Sequence, residues 1–455
     1  MAPEANFGAQ PASGAMPDLY PPAHTSTLAH PEWTRSATLY QINTRQFTPE
    51  GTFRAAQAHL PRLQTLGVDI LWLMPVHPIG EAERKGSLGS PYAVRDYEAV
   101  NPEFGTLEDL RAFVDEAHAL GMRVILDWVA NHTAPDHPWV HEHPEWYARD
   151  ARGALRPTPW WDWTDIVDLD YRQPGLWRAM TDAMAFWLRE ADIDGFRCDV
   201  AGFVPTPFWE RARAELDAIK PVFMLAEWQA RDLHARAFDA TYAWDWYDAM
   251  HAVASGAQDV SALFKVYAEN QGSYPPEAQR MTFVSNHDKN AWDGTMWEQF
   301  GDALNAAIVL SVVGEGMPLL YNGQEAGNDR RLAFFDRDPI LWREHPIDDL
   351  YRRLFALKHD APALHNAPWG GRMVRVPNND EAHVLSFVRE AEGSVVFAAF
   401  NFSAEARAVA FRDALHHGTY RVAPLAAGEQ LGVTKTFGAE THLEMAPWSA
   451  RVFLR

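Results

Sequence analysis

The sequence predicts an α/β protein: a (β/α)8 barrel with a short subdomain inserted after strand 3 and a C-terminal antiparallel β-sandwich. Three observations carry this. From about Trp33, short apolar runs alternate with helical patterns. Four of the runs end on acidic residues: Val124-Ile125-Leu126-Asp127, Gly195-Phe196-Arg197-Cys198-Asp199, Phe223-Met224-Leu225-Ala226-Glu227 and Phe283-Val284-Ser285-Asn286-His287-Asp288. Acids at the carboxyl ends of separate strands are what the functional rim of a barrel looks like in a sequence. After about Asn366 the pattern changes to short alternating segments broken by turn residues, as in a β-sandwich.

Residues 1–32 are rich in Ala, Pro and Ser and lack a basic start and an apolar stretch, so they read as a flexible leader or as the remnant of a removed signal. The compartment stays open between the cytoplasm and the periplasm or exterior. The barrel occupies 33–132 and 171–365. Its expected strands are Ala37–Asn43, Val68–Met74, Met122–Val129, Asp194–Val200, Val222–Glu227, Phe238–Ala243, Met281–Asn286 and Pro318–Tyr321. Expected helices run Thr52–Leu66, with Gly67 as a C-cap, and Thr106–Leu120, with Thr106 as N-cap and Asp109 at the third helical position. Further helices cover Gly175–Glu190 and Pro207–Ile219. Residues 133–170, dense in Trp, Pro, His and Asp and without helical period, form the insertion and stand over the rim. Residues 366–455 form the sandwich, with strands at Arg372–Val376, His383–Arg389, Ser394–Asn401, Ala406–Phe411, Thr419–Val422 and Arg451–Leu454.

Net charge is −21, which disfavours a nucleic-acid or other polyanionic partner and suits a neutral substrate. The single cysteine, Cys198, precludes an internal disulfide and reads as a small core residue. No apolar run reaches the roughly 18 residues of a spanning helix, so no membrane partner is expected. The 19 Trp residues support carbohydrate stacking only weakly, since indoles also fill cores.

Strand alternation puts Arg197 and Asp199 on one side, so a cation stands beside a carboxylate and favours its ionised, nucleophilic form. Glu227, in the apolar setting Leu-Ala-Glu-Trp, suits a protonated general acid. Asp288, after His287, adds an anion able to stabilise an oxocarbenium-like transition state. Any one strand-end acid alone is most often a cap or turn residue; four together with His and Arg partners are not. Metal-assisted hydrolysis is the other chemistry open to Asp127, His132, Asp199, Glu227, His287 and Asp288, and Arg197 beside them argues against it.

These motifs, over about residues 33–455, resemble the α-amylase family of retaining glycoside hydrolases and transglycosylases, glycoside hydrolase family 13. Asp127-Trp128-Val129-Ala130-Asn131-His132 is similar to the family's first conserved region, Gly195 to Asp199 to the second, Leu225-Ala226-Glu227-Trp228 to the third and Phe283 to Asp288 to the fourth. Val167-Asp168-Leu169-Asp170 resembles the motif of the inserted subdomain, and Gly314 to Gln324 the eighth-strand signature. The resemblance implies that Asp199 is the nucleophile, Glu227 the acid/base and Asp288 the transition-state stabiliser. It implies that Tyr92 stacks under the sugar at the cleavage point, and that Asp127, His132, Arg197 and His287 bind that sugar or orient the acids. Trp228, with Trp128, Trp160, Trp161 and Trp163, supplies candidate stacking surfaces. Asn131 and Asp168 match side-chain ligands of the family's structural calcium. Gly202 and Phe203 stand where many endo-acting members carry Lys-His.

The implied activity is hydrolysis of α-1,4-glucosidic bonds in starch-derived glucans or maltooligosaccharides through a covalent glucosyl-enzyme intermediate, with no cofactor needed for the chemistry. Transglycosylation and exo-acting α-glucosidase action with the same residues are the alternatives. Endo or exo attack, α-1,4 or α-1,6 preference and oligomeric state stay open.

Overall fold

A computed structural model describes residues 26–425 and 432–455. Most of the leader, residues 1–25, lies outside the described residues. Its last part is not free: the Thr27 N–H donates to the Ala235 carbonyl at 3.0 Å, and the buried His30 ring bonds Asp239 at 2.7 Å and the Glu277 carbonyl at 2.9 Å. The fold thus begins before Trp33, because the enclosed ring of His30 bridges Asp239 and the Glu277 carbonyl beneath the barrel.

Eight strands close the barrel: β1 (Leu39–Ile42), β2 (Ile70–Leu73), β3 (Arg123–Trp128), β4 (Gly195–Cys198), β5 (Phe223–Ala226), β6 (Ala240–Tyr242), β7 (Gln279–Phe283) and β8 (Met317–Tyr321). All neighbours are parallel, and β1 sits between β8 and β2. Nearly continuous apolar runs are what a sheet covered on both faces requires. Each of the eight expected strands is present; seven are shorter by one to three residues, because their ends curl into loops, β7 starts two residues earlier than expected, and β8 is longer by one residue.

The expected helix Thr52–Leu66 is two, Phe53–Gln57 and Leu60–Leu66. Pro61 lies in the first turn of the second, where its missing N–H costs nothing; inside one long helix it would remove a bond and clash. Leu107–Ala119 carries the full capping box of Thr106 and Asp109. The insertion is more ordered than its sequence suggests. His132–Thr133 pairs with Val167–Asp168, and a helical turn spans Trp139–Glu142.

The C-terminal part has a six-stranded antiparallel sheet ordered β9 (Val374–Arg375), β10 (Val384–Ala391), β11 (Ser394–Asn401), β16 (Ser449–Leu454), β13 (Gly418–Val422) and β14 (Thr434–Phe437). A second sheet pairs β12 (Arg407–Ala410) with β15 (His442–Met445), and Val409, Leu443 and Met445 pack on Phe397, Phe437 and Phe453 of the first. β14 and β15 were not expected: Thr434-Lys435-Thr436-Phe437 and His442-Leu443-Glu444-Met445 bury only alternate residues. The other face of the large sheet joins the barrel core through Phe387, Phe400 and Val452.

Gly195 opens β4 with φ +152°, and a Cβ there would lie 1.9 Å from the Phe223 carbonyl oxygen on β5. Only glycine lets the two strands meet. Gly195→Ala is expected to lower the thermal midpoint by about 5 °C or more, read by differential scanning fluorimetry; an unchanged midpoint would contradict this packing.

His77 is enclosed by Tyr97, Trp128 and Trp187, and burial pushes its pKa down to about 3. In the unfolded chain it takes up a proton near pH 6.5, so the unfolded state binds more protons between these values and stability drops as pH falls. His77 should cost about 2 kcal/mol between pH 7 and pH 5. His77→Phe is therefore expected to lose less stability over that interval than the parent, measured as the pH dependence of the unfolding midpoint.

Candidate active site

The site is built around one buried cation. Arg197 points inward from β4 and is 0% exposed. Its Nη1 donates to Asp127 Oδ1 at 2.7 Å and to Asp199 Oδ1 at 3.0 Å, and its Nε donates to the Tyr242 hydroxyl oxygen at 3.2 Å. Its Nη2 lies 3.1 Å from Glu227 Oε1 without alignment for a hydrogen bond. The guanidinium carbon is 5.0 Å from the Trp72 ring centroid, a cation–π arrangement.

Asp127, at the end of β3, spends its other oxygen on Trp72 Nε1 at 3.0 Å and the Tyr92 hydroxyl at 2.9 Å. Tyr92 O is 2.8 Å from His287 Nε2, and Gln41 Nε2 is 2.6 Å from His287 Nδ1. Gln41 donates to Nδ1, so Nε2 carries the ring proton and donates to Tyr92, which donates to Asp127. A neutral His287 fits this relay, and burial, aided by Arg197, holds its pKa down at about 3. His132 Nε2 lies 4.0 Å from Asp199 Oδ2, and burial lowers its pKa to about 4.

Glu227 follows β5, where its Oε2 accepts from the Val200 N–H at 2.8 Å. Val200 adopts φ +35°, a left-handed conformation that a β-branched residue avoids, at a cost of about 1–3 kcal/mol. That strained turn after Asp199 aims a backbone donor at Glu227. Asp288 follows His287 at 3.2 Å and opens a π-helical turn, Lys289–Asp293, a distortion common at functional sites.

A cavity of about 490 Å³ collects Tyr92, His132, Asp199, Glu227, His287 and Asp288 on its lining. A larger groove of about 1050 Å³, beside Arg62 and Trp342, contains none of these acids. Asp127 and Arg197 lie beneath the cavity, holding its floor. Arg197 was expected to dominate Asp199. Burial instead pushes the Asp199 carboxyl well above its ordinary value, Glu227 adds to this, and Arg197 opposes both. One guanidinium is divided among three carboxylates, so its pull on each is weaker than on a single acid. Burial likewise raises Asp127 to about 6 against the pull of Arg197, and raises Asp288.

Other expected contacts differ. Trp128 is fully buried against His77, Tyr97 and Phe196, so it offers no stacking face. Trp228 packs on Phe203 at 5.1 Å and over Gly202, where a Cβ would meet its ring at 2.1 Å; it is not on the cavity lining. Trp161 and Trp163 are on the lining and stacked, 4.8 Å apart. Gln41, Trp72 and Tyr242 join the site without a motif to mark them. They are inward positions of barrel strands, and Gln41 was readable as a polar residue in an apolar run. Lys85, Trp292, Phe334 and Phe335 come from loops with no periodic signal.

Asn131 and Asp168 do not fit a calcium ion. Asp168 Oδ1 accepts from Thr158 Oγ1 at 2.6 Å and from the Asn131 amide at 3.4 Å, while Arg156 Nη2 stands 3.6 Å from Oδ2. Calcium takes six to eight oxygens, and here a guanidinium faces the one free carboxylate oxygen. Among the described residues no group of three or more His, Cys, Asp or Glu is arranged to hold a metal.

The family model "Alpha amylase, catalytic domain" matches residues 40–166 and 161–347. The alpha-amylase MalA of Haloarcula japonica is 28% identical over 396 residues, 82% of this chain and 56% of that protein, so the chain spans about half the length of this curated relative. The crystal structure of a maltogenic alpha-amylase, AmyB, from Thermotoga neapolitana superposes with a TM-score of 0.83 at 28% identity, covering 92% of this chain and 98% of that one. An alpha-amylase from Lactobacillus plantarum gives 0.81 at 32% identity, covering 93% and 99%.

If Arg156 serves in place of an ion, EDTA leaves the thermal midpoint within about 1 °C, since no bound ion is there to be lost. Arg156→Ala lowers it in buffer with or without calcium. A midpoint that rises with added calcium and falls with EDTA would refute this.

Proposed function

Because the chain belongs to the α-amylase family, we propose that it hydrolyses α-1,4-glucosidic bonds in maltooligosaccharides or starch-derived glucans with retention at the anomeric carbon. The observation that carries this is the convergence of Asp199 and Glu227, from adjacent strands, on one guanidinium, with Asp288 facing the same cavity. Two acids flanking one centre serve a double displacement.

The sugar to be cleaved rests on Tyr92, whose ring is held by stacking on His287 and Phe334 at 5.5 and 6.2 Å. Asp199 attacks C1 as Glu227 gives its proton to the departing glycosidic oxygen. The C1–O bond breaks and an ester to Asp199 forms. Glu227 then takes a proton from water, the water oxygen bonds to C1, and Asp199 leaves. Arg197 aligns its N–H groups with Asp127 and Asp199 and not with Glu227, the acid that faces the leaving oxygen in this reading. Asp288 faces the positive charge that develops at C1. His132, held neutral by burial, is a donor or acceptor for a sugar hydroxyl, while His287, whose ring nitrogens are taken by Gln41 and Tyr92, orients the Tyr92 platform. No step needs a metal.

Transfer to a second sugar is favoured by one observation. Trp160 and Trp161, 69% and 52% exposed, stand 5.7 and 5.8 Å from Phe203 and provide an open aromatic surface near Glu227 for an acceptor. Products longer than the maltohexaose supplied would show transfer, and glucose and maltose alone would show hydrolysis.

Asp199→Asn, Glu227→Gln and Asp288→Asn are each expected to lower kcat on maltohexaose by about a thousandfold or more while preserving the unfolding midpoint. Glu227→Gln given α-maltosyl fluoride should accumulate an adduct on Asp199, read by mass spectrometry. Normal turnover in any of the three removes the mechanism, and a β-anomer as first product removes retention.

A further inference from the structure

We propose that three loops close the glycone side of this cavity, so that the enzyme attacks glucans from their non-reducing ends and releases short saccharides. This rests on the acid role of Glu227 given above.

The chain direction in the cavity follows from the chemistry. Glu227 protonates the leaving oxygen, so the leaving chain extends toward Glu227, at the end of β5. The glycone extends the opposite way. In the closed barrel β1 lies four strands from β5, flanked by β2 and β8. The loops after β2 and β8 therefore meet the glycone's non-reducing end.

Those loops are tied into one wall. Lys85, in the loop after β2, donates its Nζ to the Asp162 carbonyl and stands 3.6 Å from the buried Asp165, both in the insertion after β3. Two residues on, the Ser87 N–H donates to Asp336 Oδ1 at 2.9 Å and the Leu88 N–H to the Phe335 carbonyl at 3.1 Å, in the loop after β8. The loop after β2 is braced within itself by Arg84, whose Nε and Nη2 donate to the Gly80 and Ile79 carbonyls at 2.8 and 3.1 Å. The loop after β8 is fixed from below, where Gln46 Nε2 donates to the Ala333 and Asp336 carbonyls at 2.6 and 2.9 Å. Trp292, after β7, lies 5.8 Å from Phe335 and extends the wall. Lys85, Asp162, Asp165 and Phe335 all line the cavity itself, so the bridge is its boundary and not an outer contact.

The space inside agrees. About 490 Å³ lies within the roughly 300–1,000 Å³ that enclose a drug-sized ligand, the size of a di- or trisaccharide. A long glucan bound in mid-chain would have to pass through the Lys85 bridge.

The test compares p-nitrophenyl maltoheptaoside with the same compound blocked at its non-reducing end by a 4,6-O-benzylidene group, products being read by chromatography. The blocked substrate is expected to react about 100-fold or more slowly than the free one. Lys85→Ala should raise the blocked-to-free ratio by about tenfold or more, and Lys85→Arg, which keeps the bridge, should leave it low. Blocked and free substrates cleaved at similar rates by the parent protein would overturn the closed wall. A Lys85→Ala ratio equal to the parent's would overturn the role of Lys85. Cleavage of neither substrate would instead overturn the hydrolytic reading, and the wall's function with it.

Discussion

The acids at the centre of this barrel, and the Tyr92 platform beside them, depend on the charge of Arg197. A buried guanidinium is costly unless its donors are used, and buried carboxylates are costly unless they are paired. Arg197 and its acids each make the other tolerable: Asp127 and Asp199 take aligned donors, and Glu227 touches the third nitrogen. The arrangement also fixes geometry at a distance. Asp127, held by Arg197 through one oxygen, holds Tyr92 and Trp72 through the other. Removing the cation would leave three acids to repel one another, and the proposed sugar platform at Tyr92 would lose its anchor.

A second buried cluster, under the barrel, shows why such an arrangement does not exist simply for stability. Asp239 is as buried as Asp199, yet its pKa is lowered: against burial it has Arg213 at 2.8 Å, His30 at 2.7 Å and the Met224 N–H at 2.8 Å. There the donors outnumber the acid. At the upper rim the acids outnumber the cation, and Asp127, Asp199 and Asp288 are all raised. Burial raises the acids in both clusters, and the ratio of partners decides the sign of the net shift. The lower cluster locks the N-terminal segment and β5 and β6 together. The upper one pushes its carboxyls toward the protonated form, which serves acid–base chemistry and not folding.

The same division explains what was legible in the sequence. Strands ending in Asp127, Asp199, Glu227 and Asp288 were readable because barrel strands are apolar runs and an acid at their end breaks the run. The cap at Thr106 and Asp109 was readable because its chemistry is local. The break at His59 and Pro61 was readable in principle from the proline alone. The direction of the Asp199 shift was not. Two residues in sequence reveal one cation beside one acid, and only the assembled barrel reveals that Asp127 and Glu227 compete for the same cation. His30 could not be distinguished from its leader, since its partner Asp239 is far away in sequence. Lys85 gave no signal, because a lysine in a loop is most often solvated and its partners Asp162 and Asp165 lie across an insertion.

Chemistry and substrate reach therefore reside in different parts of the molecule. The proposed nucleophile Asp199 and acid Glu227 directly follow strand ends, where backbone hydrogen bonds to the neighbouring strands limit movement, and the strain at Val200 is tolerated because β4 and β5 hold it. The cavity's extent is set by loops whose contacts are a few polar bridges among Lys85, Ser87, Asp162 and Asp336. On the proposed reading, a change in one such bridge would alter which glucans fit and leave the Arg197 cluster untouched, whereas no change in the loops creates the cluster. Membership of the family thus argues for bond cleavage through Asp199 and Glu227, while the length of glycone accepted has to be argued from Lys85 and its partners in this chain.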